Sequence, residues 1–135
     1  GLAGAFTGLT RIGDLVHRPR PTSTGEWIEY SFGNGGYPSG HVIFSVLIFG
    51  TIWILSTRYT SVLVSKLIGL GFLAIVVLTC WSRVSELEHW PLDVIGGLFI
   101  SSAALILINF TNKVLPNLIS ESSSLRQLLG LDKEV

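Results

Sequence analysis

Three short clusters in this 135-residue chain carry side chains that could do chemistry together. The first is Pro38-Ser39-Gly40-His41. The second is Ser82-Arg83. The third is His89 with Asp93 four residues on. Arg11, Arg18 and Arg20 lie upstream of them, at the edge of a Pro-, Ser-, Thr- and Gly-rich loop over 19–37. Arginine is permanently charged and grips anionic oxygens with a planar fork of donors. A serine hydroxyl and a bare glycine N–H at a helix start make a further anion site, at the positive end of the helix dipole. Histidine serves as a nucleophile or as a proton donor and acceptor.

Each cluster lies at the end of an apolar stretch. His41–Thr57 carries no charge before Arg58. Leu67–Ser82 carries none between Lys66 and Arg83, and Val94–Asn112 none between Asp93 and Lys113. A helix rises about 1.5 Å per residue, so about 20 residues cross a hydrocarbon core of about 30 Å. Tyr37–Gly40 extends the first stretch. Val62–Lys66 extends the second, with the Lys66 ammonium reaching back to the interface. The apolar character runs all round each helix rather than along one stripe, which argues against buried helices of a soluble all-α protein.

The fold class expected is therefore all-α: an integral-membrane helical bundle with three transmembrane helices. It forms one domain over 1–135 with a polar tail from about 120. The first span leaves one membrane face, the second returns to it and the third leaves again. The three clusters therefore meet on one face, within reach of the upstream arginines. Ionisable groups at membrane depth are candidates for function.

Composition agrees. Apolar residues are 48% of the chain and charged residues 13%, about half of what a soluble domain carries. Nine basic residues balance nine acidic ones, which excludes a basic nucleic-acid binder. A single cysteine, Cys80, excludes an internal disulfide framework and a Cys-rich zinc site.

Small residues point to helix contacts. Gly97 with Ser101, and Gly4 with Gly8, are small-xxx-small pairs that let backbones approach. The second pair predicts that residues 1–10 end an earlier span. Trp53, Trp81 and Trp90 read as aromatics at headgroup level. Gly33-Asn34-Gly35-Gly36 reads as loop flexibility, His17 as a loop histidine, and Leu125, Leu128 and Leu129 as one face of a short interfacial helix.

These residues resemble the type 2 phosphatidic acid phosphatase superfamily over about residues 10–112. The family's second motif, Pro-Ser-Gly-His, is matched at Pro38-Ser39-Gly40-His41. Its third, Ser-Arg, five residues, His, three residues, Asp, is matched at Ser82-Arg83, His89 and Asp93. The first motif, a basic residue, six residues and Arg-Pro, has two registers. Arg11 with Arg18-Pro19 satisfies it with arginine for lysine; Arg20-Pro21 puts Gly13 at the lysine position. Either Arg11 and Arg18 bind phosphate or Arg20 does. Arg11 and Arg18, seven residues apart, would share a face of any helix that reached Arg18.

The resemblance implies phosphoryl transfer; no carboxylate or histidine cluster is left over for a catalytic metal, so none is expected, and no cofactor. His89 would attack phosphorus and form a phosphohistidine that water hydrolyses. Asp93 would take the other ring N–H of His89 and fix its tautomer. His41 would protonate the leaving oxygen. Arg83, Ser39, Gly40 and the first-motif arginines would hold the phosphoryl oxygens. Glu86 and Glu88 read as solvated loop acids, or as groups that position water.

The substrate expected is a lipid phosphate: phosphatidic acid, phosphatidylglycerol phosphate or a polyprenyl diphosphate. A lipid phosphotransferase and a membrane scaffold with a degenerate site are the competing readings. Membrane lipids are the expected surroundings. Family members usually have six spans and this chain contains no methionine, so it reads as the C-terminal half of such a protein, partnered by missing N-terminal helices. Arg58, Lys66 and Lys113 lie at the span ends away from the clusters. With the arginines on the cluster side assigned to phosphate, the remaining positive bias puts these three in the cytoplasm and the site on the extracytoplasmic face of the cell membrane.

Overall fold

The structure is a computed structural model that describes residues 2–16, 18–21 and 35–121. His17, Gly33 and Asn34, most of the 19–37 loop, and the tail leucines Leu125, Leu128 and Leu129 lie outside the described residues. The described elements are all helical: α1 (Leu2–Thr10), α2 (Gly13–Val16), α3 (Gly40–Tyr59), α4 (Val62–Ser85) and α5 (Pro91–Glu121). Segments Gly40–Tyr59, Val62–Ser85 and Pro91–Val114 are long and apolar enough to cross a membrane. The three expected spans are present, and the chain is a membrane protein.

Local chemistry sets the helix ends. Ser39, extended at φ −65° and ψ 111°, is the N-cap of α3, so Tyr37 and Pro38 stay outside the helix that was expected to extend back to them. Ser61 caps α4 by accepting the Val64 N–H at 3.4 Å. Beyond α4 the chain turns through Leu87, whose φ of 58° lies in the left-handed region. The N–H groups of Glu88 and His89 both donate to the Arg83 carbonyl, at 3.1 and 3.0 Å. This satisfies orphan donors of the turn. Pro91 then opens α5, where a missing N–H costs nothing.

Two compact units are distinguished, residues 1–105 and 106–135. In the first, α3 is the central helix. Val42, Ile43, Val46 and Leu47 are buried in a core shared with Val76 of α4 and Val94 and Leu105 of α5. Close approach replaces the hydrophobic driving force that lipid does not supply. A Cβ at Gly97 would stand 3.2 Å from the Ser39 carbonyl and 3.4 Å from Val42, and one at Gly50 would overlap the Leu105 side chain. Ser45 meets Thr79 at 3.2 Å, and Ser56 meets Ser65 at 3.3 Å, across α3 and α4.

Helix α1 packs on α3 through an edge-to-face contact of Phe6 with Phe44, with ring centroids 6.2 Å apart. Gly4 and Gly8 play no part in that contact: a Cβ at either meets nothing within 4 Å. Leu67, Leu70, Leu73, Val77 and Leu78 of α4 lie exposed, as lipid-facing side chains do. The second unit holds the later turns of α5, where Ile106, Leu107 and Phe110 are exposed.

Candidate functional site

The start of α3, the turn after α4 and the start of α5 come together with residues 18–20 and 35–37. A cavity of about 420 Å³ opens among them, lined by Arg20, Gly35, Tyr37, Pro38, Gly40, His41, His89, Phe6, Thr10 and Phe44. Its lining combines the Arg20 guanidinium and the His41 and His89 imidazoles with the contacting rings of Phe6 and Phe44.

His89 is buried, with 4% of its surface exposed. Its Nδ1 lies 2.6 Å from the Gly36 carbonyl oxygen and 3.9 Å from Asp93 Oδ2. The expected Asp93 contact is therefore displaced by a backbone carbonyl. A carbonyl only accepts, so Nδ1 carries the hydrogen and Nε2 keeps its lone pair. Burial pushes the His89 imidazole below its ordinary range, with Arg20 and His41 acting in the same direction. The Gly36 carbonyl and Glu88 oppose them.

Asp93 has other duties. Its Oδ2 accepts the Trp90 N–H at 2.8 Å, the acid half of a capping box at the start of α5. Its Oδ1 faces Arg18 Nε at 3.4 Å. Its backbone carbonyl accepts the Ser39 N–H at 3.1 Å, tying the start of α3 to that of α5. The carboxylate is fully buried, so one residue joins three segments of the site.

The two registers of the first motif separate in space. Arg20 lines the cavity and its Nη1 pairs with Glu88, through the carboxylate Oε2 and, at 3.4 Å, the carbonyl. Arg18 stands behind, on Asp93 and 5.9 Å from the centre of the Trp90 ring. Arg11 is exposed just beyond α1 and does not line the cavity. Arg11 and Arg18 share no helix face, because α1 ends at Thr10 and Arg18 lies past the short α2.

Arg83 does not line the cavity either. Its Nη2 holds Glu86 Oε2 at 2.6 Å and Ser82 Oγ at 3.0 Å. Ser39 is fully buried, and its Oγ has no hydrogen-bond partner among the described residues. It caps α3 by backbone conformation alone, without a side-chain bond. Gly40 and His41 begin the helix and face the cavity.

Two positions of the candidate site escape a reading of side-chain types. Gly36 belongs to the run that reads as loop flexibility, yet it is pinned: its N–H donates to the Arg18 carbonyl at 2.7 Å while its carbonyl receives His89. A Cβ there would lie 3.2 Å from Asp93 Oδ2, 3.3 Å from the Pro19 carbonyl and 3.4 Å from that of Arg18. Trp90, which reads as a headgroup aromatic in the sequence, donates its indole N–H to the Pro19 carbonyl at 3.0 Å. Its place beside His89 in the chain was the available signal.

Compared with known proteins, residues 1–114 match a family model described as the PAP2 superfamily. No curated protein and no solved structure matches the chain.

Proposed function

Since the chain belongs to the PAP2 superfamily, whose members are phosphatases, we propose that it hydrolyses a phosphate monoester or diphosphate on a membrane lipid. The observation that carries this reading is the shared cavity of His89, His41 and Arg20. His89 Nε2, freed by the Gly36 contact, attacks phosphorus and forms a phosphohistidine. His41 gives the leaving oxygen its proton. Water then displaces the phosphoryl group from His89, releasing inorganic phosphate.

Arg20 supports the phosphoryl oxygens from the cavity wall. The buried Ser39 hydroxyl and the Gly40 N–H add donors at the start of α3. Arg83 joins them when released from Glu86. Asp93 fixes Arg18, Trp90 and Ser39 around the nucleophile and, 3.9 Å from Nδ1, stabilises the imidazolium electrostatically. Phe6 and Phe44 give the cavity an apolar side, which suits an acyl or prenyl chain. With Arg18, Arg20 and Arg83 committed to the site, Arg58 and Lys66 at the opposite span ends outweigh Arg11, which favours the extracytoplasmic face for the site.

The test is phosphate release from phosphatidic acid in detergent micelles, with EDTA present and no metal added. Orthovanadate, which takes the five-coordinate shape of the transition state, should inhibit it. Activity lost in EDTA and restored by magnesium would overturn the metal-independent reading.

A further inference from the structure

We propose that Glu86 and Glu88 are built-in counter-anions, carboxylates that hold the arginine donors of the site between turnovers and yield them to a phosphoryl group. This rests on the phosphatase reading above and concerns how that site takes up and releases its anion.

Three arginines of the site have a carboxylate partner, and the partners differ in kind. Asp93, on Arg18, is fully buried and held by the Trp90 N–H. It cannot move without dismantling the start of α5. Glu88, on Arg20, and Glu86, on Arg83, have 45% and 57% of their side-chain surface exposed. Both sit in or beside the turn between α4 and α5. Their arginines are 40% and 19% exposed; a carboxylate that reaches water is screened and its pair contributes little, so these two can open while the first cannot.

The geometry resembles the grip that a phosphoryl group requires. Glu86 places Oε1 on the Ser82 hydroxyl at 3.1 Å and Oε2 on Arg83 Nη2 at 2.6 Å. One anion thus spans a hydroxyl and a guanidinium with two oxygens. At Arg20 a single residue supplies two contacts of unequal permanence. The Glu88 carboxylate is removable, whereas the Glu88 carbonyl is part of the turn and keeps Nη1 beside the cavity after the carboxylate leaves.

A dianionic phosphoryl group attracts a guanidinium more strongly than a carboxylate of one charge, so it displaces the glutamates on binding. When the product departs, the carboxylates return and no bare arginine remains to retain inorganic phosphate. Removing a glutamate should therefore tighten binding of every phosphoryl ligand.

The experiment is calorimetric titration of inorganic phosphate into the full chain in detergent micelles, for the unsubstituted protein, Glu86→Gln, Glu88→Gln and the double variant. Each glutamine should tighten phosphate binding roughly fivefold, the value of one exposed ion pair converted to a ratio. Inhibition of turnover by phosphate should strengthen in parallel. A damaged site cannot bind more tightly, so the gain separates this role from a structural one. The two pairs are separate, so if one variant fails to fold the other decides. Phosphate bound by the unsubstituted chain and no more tightly by the variants would overturn the counter-anion role alone. No uptake of phosphate or vanadate by the unsubstituted chain would overturn the phosphatase reading, and this proposal with it.

Discussion

The Gly36 carbonyl oxygen lies 2.6 Å from His89 Nδ1, nearer than Asp93 Oδ2 at 3.9 Å. A neutral acceptor therefore sets the tautomer of the candidate nucleophile. The carboxylate is left to cap α5 and to hold Arg18. In a buried pocket a backbone carbonyl orients the ring without offering it a base, so the proton stays on Nδ1 and Nε2 points its lone pair outward.

His89→Ala should abolish phosphate release while phosphate still binds, because Arg20, Ser39 and Gly40 remain. Rapid quench of the unsubstituted protein with labelled substrate should place acid-labile label on His89. Full activity in His89→Ala would sink the mechanism.

Gly36→Ala should lower kcat by roughly ten- to a hundredfold, as expected when a reacting group is misplaced by a fraction of an ångström. The added Cβ meets oxygens of Asp93, Pro19 and Arg18 at 3.2 to 3.4 Å, and each must give way. The carbonyl that holds His89 then shifts. Phosphate affinity should change less than kcat. Unchanged kcat would remove the Gly36 carbonyl from the mechanism.

The state of the ring is directly observable. Burial lowers the His89 pKa from the ordinary 6.5. A base with a lowered pKa stays neutral further into acid, so the nucleophilic form persists at pH 6.5 and is lost only as the pH falls through the lowered value. Nitrogen NMR of the labelled imidazole should show a protonated Nδ1, a bare Nε2 and a midpoint below 6.5. A midpoint above 6.5, or the opposite tautomer, would contradict the geometry.

His41 is tested by the leaving group. A lipid alkoxide needs a proton to depart, so His41→Ala should lose roughly two to four decades of rate on a lipid phosphate. Nitrophenolate leaves unaided, so nitrophenyl phosphate should suffer far less. Equal losses on both substrates would reassign His41 to phosphate binding.

Topology is tested at Thr60, exposed at the end of α3 that lies away from the site. In a Cys80→Ser background, Thr60→Cys should resist an impermeant thiol reagent added outside intact cells. Labelling from outside would put the site in the cytoplasm.

Local composition was enough to set the three spans and the types of group at the candidate site. Three charge-free stretches of helical length dictate three spans wherever they fold, because lipid leaves a backbone no partner but itself. Motif spacing also put Asp93 four residues after His89 and His41 at a helix start, although α5 begins only at Pro91 and leaves His89 in the turn before it. Where each group points depends instead on contacts between segments far apart in the chain. The His89 contact joins positions 53 apart and uses a backbone oxygen, which every residue has and no residue type advertises. As strings, the Arg18 and Arg20 registers each leave a departure from the motif, arginine for lysine in one and Gly13 in the other, so neither is chosen. They part because buried Asp93 captures Arg18, whereas Arg20 reaches the cavity on the turn of Glu88. Arg83 was legible as a donor, but its engagement with Glu86 depends on the turn that follows α4, whose left-handed Leu87 no propensity would have placed there.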